Sequence, residues 1–285
     1  MRLKKEILKS PFFILAIIIS IIMLGIFLVD LIISDKTTTD IIEEPVEEVI
    51  EIKPYSNYDW DKLIINKHHY KYEDDNYTSM FGIDVAAHQE TIDWKKVKEA
   101  GVEFAYIRLG YRGAVEGILH TDLEFEKNYK GAKENGIKVG IYWYAQPANV
   151  EEVIEEAKYV IDVLGDREID LPIAFDFEET EFYDGSVSRM HDMSGADRTK
   201  MAVTFCNEIL KNHRDVMIYT NLYWADTYYN WKELEGYPIW FAQYSVKPSF
   251  TKPFVMWQYD DKGYLDGVGR NVDLDILFIH KSDQN

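Results

Sequence analysis

The sequence has a single cysteine, Cys206, and far fewer basic than acidic side chains. One thiol excludes any disulfide within the chain. Cys206 lies in the amphipathic stretch VTFCNEIL, where nothing indicates a basic partner, so we expect an inert core thiol. The 31 Lys and Arg face 50 Asp and Glu, a formal net charge of −19. Nucleic acid and anionic lipid surfaces are therefore poor partners for the domain as a whole.

One long apolar run stands near the start of a chain that is 47% hydrophobic over 285 residues. Residues 12–29 are interrupted only by Ser20 and Gly25, and the run continues past Asp30 to Ile33. As a helix this length reaches about 33 Å, enough to span a hydrocarbon core of about 30 Å. The sequence therefore predicts a transmembrane anchor over residues 11–34.

The charges around this run predict its orientation. Residues 1–10 carry four basic side chains and one acidic side chain. The positive-inside rule places them in the cytoplasm and everything after residue 34 outside a single-pass cell membrane protein. A cleaved signal peptide is the alternative, but the run is long for one and no A-x-A site follows it.

Residues 35–79 read as an acidic extracellular spacer. DKTTTDIIEEPVEEVIEIKP contains Pro45 and Pro54 and has no helical period long enough to pack, and its like charges favour an extended chain. The second half, from Tyr55 onward, is richer in aromatic residues, which is compatible with docking on the domain that follows.

From residue 80 to residue 285, strands alternate with helices. Five β/α units begin with the strands MFGIDVA, EFAYIRLGY, KVGIYWYAQ, LPIAFDFEE and DVMIYTN. Three strands without helices follow, YPIWFAQY, FVMWQYDD and VDLDILF. Near-continuous apolar strands are typical of a parallel sheet covered on both faces. The simplest α/β architecture is an irregular, TIM-like barrel of eight strands.

Carboxylates recur where these strands end. In LPIAFDFEET, side chains alternate between faces, so Asp176 and Glu178 point to one side and Glu179 to the other. The first strand ends at Asp84, and the last opens with Asp273. Function in such barrels lies at the carboxyl ends of the strands, so we expect these acids around one mouth.

Aromatic and polar residues at the same strand ends are candidates for the wall of this mouth. They are Arg108, Tyr142, Tyr144, Trp240, Tyr244, Trp257 and Gln258. Aromatic faces with carboxylates suit a sugar, and glycosidic cleavage needs a protonated carboxyl near a negative group. Crowding Asp176 beside Glu178 would keep one of them protonated.

In this order the motifs resemble the glycoside hydrolase family 25 lysozymes, the Chalaropsis-type muramidases. FGIDVAAHQETIDWKKVKEAGVEFAYIRLGYRG resembles the family's opening, and KVGIYWYAQP, LPIAFDFEE, IWFAQY, MWQY and VDLD follow as in the family. The resemblance covers residues 80–278. One position departs from the pattern, because the last motif commonly ends in Asn and here ends in Asp275.

The resemblance implies cleavage of the β-1,4 bond between N-acetylmuramic acid and N-acetylglucosamine in peptidoglycan. It implies Glu178 as general acid, with Asp176, Asp84 and Asp273 as accompanying catalytic acids. It implies glycan strands as the partner and no metal or other cofactor. We also expect a monomer, held at the membrane by its N-terminal helix.

Three alternatives remain at this point. The barrel could have lost catalysis and only bind cell wall, or it could hydrolyse another amino sugar. It could also hold a divalent metal on Asp84, His88, Asp176, Glu178 and Asp273, which are hard oxygen ligands and one imidazole.

Overall fold

The computed structural model describes residues 57–67, 69–180 and 182–283. The predicted anchor over residues 11–34 and the first part of the predicted spacer lie outside these residues. Within the described ranges, no helix combines the length and the apolar character needed to cross a membrane.

The described residues form eleven strands and five α-helices. The strands are β1 (Leu63–Asn66), β2 (His69–Tyr72), β3 (Tyr77–Val85), β4 (Phe104–Arg112), β5 (Leu119–Thr121), β6 (Lys138–Tyr144), β7 (Ile173–Asp176), β8 (Val216–Asn221), β9 (Ile239–Ala242), β10 (Met256–Gly263) and β11 (Val272–His280). The helices are α1 (Trp94–Glu99), α2 (Phe125–Glu134), α3 (Val150–Leu164), α4 (Gly195–Lys211) and α5 (Leu222–Thr227).

Eight of these strands close into a barrel. Their order is β3, β11, β10, β9, β8, β7, β6, β4, and pairing of β3 with β4 completes the circle. The short β5 adds to β4 in antiparallel fashion. Five strand–helix units followed by three strands were expected, and this part of the prediction is confirmed.

The last strand differs from the expected parallel sheet. The other seven barrel strands pair in parallel with one another, but β11 is antiparallel to both of its neighbours. Residues 264–271, which join β10 to β11, form turns without a helix. A parallel return needs a long crossover, so this short connection dictates a hairpin. As a result, β11 begins at the same end of the barrel where the other strands finish.

Side chains alternate between the inside of the barrel and the layer beneath the helices. Phe104, Tyr106, Met217 and Trp240 belong to the inner cluster, whereas Phe175 and Phe205 pack in the outer one. Cys206 is fully buried in that outer layer, as expected of a core thiol.

The hairpin β1–β2 covers the face of the barrel that has no helices. Tyr58 stacks on Phe278 with ring centroids 4.1 Å apart, and its hydroxyl donates to the Phe254 carbonyl at 2.7 Å. Tyr70 stacks on Tyr259 at 4.0 Å. The aromatic end of the predicted spacer is therefore folded onto the barrel, and β3 starts at Tyr77, before the boundary predicted at residue 80.

Candidate active site

The strand β7 delivers two carboxyl groups to the mouth of the barrel. Asp176 is its last residue and is buried, and Glu178 follows two positions later, half-buried. Phe177 between them points the other way and packs edge-to-face on Trp224 at 5.2 Å. The carboxylate of Glu179 bonds to His191 Nδ1 at 2.5 Å. The predicted alternation is confirmed for Phe177, but the strand ends at Asp176 and Glu179 lines the same cleft as Glu178, so the opposite face predicted for Glu179 is wrong.

A second acidic group forms where β11 lies against β3. Asp84 and Asp273 are direct partners across these antiparallel strands. Asp275 lies two residues deeper on the same side of β11 and is fully buried. It accepts a hydrogen bond from the Trp240 indole nitrogen at 2.9 Å, and its carboxyl group interacts with that of Asp84. Two buried carboxyl groups that interact in this way repel each other when both are ionised, which favours protonation of the pair.

Burial and like charges raise the pKa of every acid in this cluster that shows a shift. Burial raises the pKa of Asp84 well above its ordinary value, and Asp275 and Glu178 add to the effect. Burial and the neighbouring Glu178 do the same to the pKa of Asp176. The pKa of Asp273 rises to about 9, through burial and then the charge of Asp84. The acids at this mouth therefore hold protons to higher pH than ordinary carboxyl groups do.

Gln258 connects the acids to the aromatic wall. Its side-chain nitrogen donates to Asp84 Oδ2 at 2.7 Å. Its oxygen accepts from the hydroxyls of Tyr219, at 3.1 Å, and Tyr244, at 3.0 Å. Gln258 was predicted to bind substrate, but it is buried and its amide is occupied by these three residues. It is placed to orient Asp84 and Tyr244.

An open cleft of about 840 Å³ passes over Glu178, and we call it the catalytic cleft. Of the predicted site residues, it is lined by Glu178, Tyr144 and Tyr244. Residues that the sequence reasoning had not placed at the mouth supply the rest of its wall, including Glu179, Tyr219, Asn221, Tyr223, Tyr228, Gln243 and His191. Several of these directly follow β8 and β9, so the strand-end rule that found the acids could also have found them.

Trp240 and Trp257 were predicted as sugar platforms, and that prediction is wrong for both. Trp240 points into the barrel, where it is almost completely buried beneath the acids and packs on Tyr106 with ring centroids 4.8 Å apart. Trp257 points outward and is fully buried under the hairpin, with its nitrogen bonded to the Gln243 carbonyl at 2.8 Å. Neither ring is accessible to a ligand.

The remaining predicted residues stand around the acids. Arg108 is largely buried and pairs with the buried Asp122 at 2.7 Å, and its charge lowers the pKa of Asp176 against the larger effects that raise it. Tyr142 is buried inside the barrel, next to Trp240. Tyr144 is half-buried in the cleft and bonds to Thr180 Oγ1 at 2.8 Å.

Gln146 is a positioning residue that the sequence reasoning missed. It is fully buried directly after β6, and its side-chain nitrogen donates to the backbone carbonyl of Glu178. This bond fixes the backbone that carries Glu178. The signal was present in the motif YWYAQP, where a glutamine follows an apolar strand.

The donor set for a metal ion is not assembled in the described part of the chain. There, no group of three or more His, Cys, Asp or Glu has the geometry to hold a metal. His88, the imidazole considered for such a site, is exposed on a short 3₁₀ turn after β3.

Comparisons with known proteins agree on one family. The sequence model of Glycosyl hydrolases family 25 matches residues 83–268. An autolytic lysozyme of Clostridium acetobutylicum is 32% identical over 199 residues, which cover 69% of this chain and 55% of that protein. Lysozyme M1 of Streptomyces globisporus is 33% identical over 211 residues, which cover 67% of this chain and 65% of that protein.

A solved structure gives the same result for the fold. The bacterial lysozyme from Streptomyces coelicolor matches with a TM-score of 0.59 and 27% identity, over 69% of this chain and 90% of that one. The chain spans only 55% and 65% of the length of the two curated relatives described above.

Proposed function

Because the chain belongs to glycosyl hydrolase family 25, we propose that it is a peptidoglycan hydrolase. It cleaves the β-1,4 bond between N-acetylmuramic acid and N-acetylglucosamine. The observation that carries this proposal is the placement of the acids: Glu178 lines an open cleft, while Asp176, Asp84 and Asp273 stand around it at the same end of the barrel. Lysozymes among the relatives support the same assignment.

Glu178 is the proposed general acid. It is the member of its pair that lines the cleft, so it is placed to reach a glycosidic oxygen, whereas Asp176 lies deeper. Each of the two carboxyl groups makes ionisation of the other harder, so the pair holds a proton that Glu178 delivers to the leaving oxygen. Asp176 then carries negative charge facing the oxocarbenium-like transition state or orients the 2-acetamido group.

The acids on β3 and β11 complete the proposed site. Asp273 stands at the rim, where an acid of raised pKa is able to donate a hydrogen bond to a sugar hydroxyl. Asp84 is held between Gln258 and Asp275, which fixes the direction of its carboxyl group. Tyr144 and Tyr244 supply aromatic surface for the sugar faces.

The test is digestion of purified peptidoglycan with mass spectrometry of the products. Muramidase action leaves new reducing ends on N-acetylmuramic acid, whereas a glucosaminidase leaves them on N-acetylglucosamine. A binding module releases no fragments. EDTA distinguishes the metal-dependent alternative from the proposed one. Hydrolysis by protonated carboxyl groups should proceed unchanged in its presence, whereas a metal-dependent hydrolase should lose activity.

We further propose that residues 11–34 anchor this domain in the cell membrane, with the N-terminus in the cytoplasm and the barrel outside as a monomer. The apolar run and the basic residues before it support this proposal. The full-length protein should resist carbonate extraction, and external protease should digest the barrel. Recovery of a soluble chain that begins near residue 35 would contradict the anchor.

A further inference from the structure

A second cavity, of about 690 Å³, adjoins the catalytic cleft. Its walls are the loop of residues 187–193 and the first turns of α3 and α4. His191 lines both this side cavity and the catalytic cleft, so a ligand could pass from one to the other along a single side chain. Its volume lies in the range of about 300–1,000 Å³ that is typical of ligand sites.

The lining of the side cavity carries charges of both signs. Arg189 and Lys200 provide the cations, and the acids are Glu151, Asp192 and Asp197. Because the acids outnumber these cations, a simple anion such as phosphate is not favoured. A ligand that carries carboxylates and an ammonium group fits this lining better.

Lys200 is the free cation of this lining. Arg189 is already paired with Glu152 at 2.7 Å, whereas Lys200 is exposed and forms no salt bridge with the residues that the structure describes. Met193 is half-buried and adds adaptable apolar surface beside the charges, whereas Met190 and Met201 are almost completely buried beneath it. Such a surface suits small methyl side chains.

The loop wall of the side cavity is held in place. Arg198 is fully buried and donates from its guanidinium to the backbone carbonyls of Met190, His191 and Met193 at 3.0–3.2 Å. Its guanidinium lies over the rings of Trp224 and Tyr228, at 4.6 and 4.3 Å from their centroids. A wall fixed in this way lowers the entropy cost of binding.

We propose that the side cavity binds the peptide stem attached to the muramic acid at the cleaved bond. This inference rests on the proposed function. The stem is a short peptide on the lactyl group of that sugar, with free carboxylates, an amino group and alanine methyls. Lys200 pairs with its carboxylates, the acidic residues face its ammonium group, and Met193 contacts its methyls. Stem-bearing glycan is then the preferred substrate.

The experiment compares two substrates for the full-length chain: glycan strands with intact stems, and the same strands stripped of peptide by an amidase. The wild type should show the higher kcat/KM on stem-bearing strands. Lys200→Glu should lower kcat/KM on these strands by about three- to tenfold, since it replaces an attraction by a repulsion, and should change cleavage of stripped strands less than about twofold.

A matched control lies on a neighbouring helix. Lys158 is an exposed lysine of α3 outside the cavity lining, so Lys158→Glu makes the same charge change without the predicted substrate effect. Asp192→Asn, on the loop wall, is a second variant that should selectively weaken cleavage of stem-bearing strands. If the wild type cleaves neither substrate, the proposed function is wrong as well. If it cleaves both and Lys200→Glu affects them equally, or not at all, only the stem site is overturned.

Discussion

The buried carboxyl group of Asp275 interacts with that of Asp84 inside the barrel, and together with burial it raises the pKa of Asp84. Asp275 is fully buried and also accepts from Trp240, so its charge has little access to water. Two ionised groups in this position would repel each other strongly, and the pair therefore binds at least one proton at neutral pH. Through this interaction Asp275 helps to set the pKa of Asp84.

Asp275→Asn should therefore stabilise the protein at neutral and alkaline pH. The variant loses one acid of raised pKa, and the pKa of Asp84 falls because a like charge is gone. The amide oxygen still accepts from Trp240. The gain in unfolding free energy should grow with pH above about 4, by at most about 1.4 kcal/mol per pH unit for each proton. Thermal melts at pH 5 and pH 8 measure it. Asp266→Asn, at an exposed loop position, is the control and should show no such trend.

Asp273 should make the folded protein more stable as the pH falls, which is the reverse of the usual effect of a carboxyl group. The pKa of Asp273 is raised to about 9 in the folded protein, far above that of an unfolded chain. Between about pH 4 and pH 9 the folded state holds a proton that the unfolded state has released, so stability should increase as pH falls through this window. Asp273→Asn should flatten the profile. A melting temperature of the wild type that rises from pH 5 to pH 9 would contradict the raised pKa.

Alanine variants of Tyr244 and Trp257 should differ, because Tyr244 is expected to contact substrate and Trp257 to stabilise the core. Trp257→Ala removes a fully buried ring and should cost about 3–5 kcal/mol of stability. Tyr244 is half-exposed in the cleft, so Tyr244→Ala should change the melting temperature little and raise KM for peptidoglycan several-fold. Melting curves and steady-state kinetics on both variants test the assignment. An unchanged KM in a stable Tyr244→Ala variant would remove this residue from the binding surface.

The segment from Tyr58 through the β1–β2 hairpin should contribute to the stability of the barrel in place of a helix. Tyr58 is buried, stacks on Phe278 and bonds to the Phe254 carbonyl, so Tyr58→Ala should cost about 3 kcal/mol or more. Ile64→Ala, in β1 of the hairpin that follows, alters a side chain that is 57% exposed and should stay within about 0.5 kcal/mol. Denaturant titrations compare the two. Equal stabilities of both variants would show that the hairpin packs loosely.

The positions of the acids could be predicted because they are polar residues in an apolar strand. In LPIAFDFEET, Asp176 and Glu178 reveal which alternate positions face the mouth, and the structure confirms it. The tryptophans carry no such information. A strand buried on both faces is apolar throughout, so its sequence does not tell which phase faces the barrel interior. Trp240 points inward and Trp257 outward, a difference that only the register shows.

Long-range packing was the other part that the sequence did not reveal. The pairing of Asp273 with Asp84 depends on the reversed direction of β11, which in turn depends on the length of one loop. The hairpin that replaces the missing helices precedes the barrel in sequence and packs on its last strands. Local periodicity carries no signal for contacts between such distant segments.

Replacement by glutamine should mainly lower kcat at Glu178 and mainly lower stability at Glu179. Glu178→Gln keeps the shape of the side chain but removes the transferable proton, so kcat should fall by about 10²–10⁴-fold. Stability should hold or rise, because Asp176 loses a like-charged neighbour. Glu179 instead bonds to His191 and lies 3.7 Å from the buried guanidinium of Arg198. Glu179→Gln should lower the melting temperature and reduce kcat at most about tenfold. Both variants are assayed on one peptidoglycan preparation, with melting curves in the same buffer. Equal losses of kcat, or a larger loss at Glu179, would mean that the general acid is misassigned.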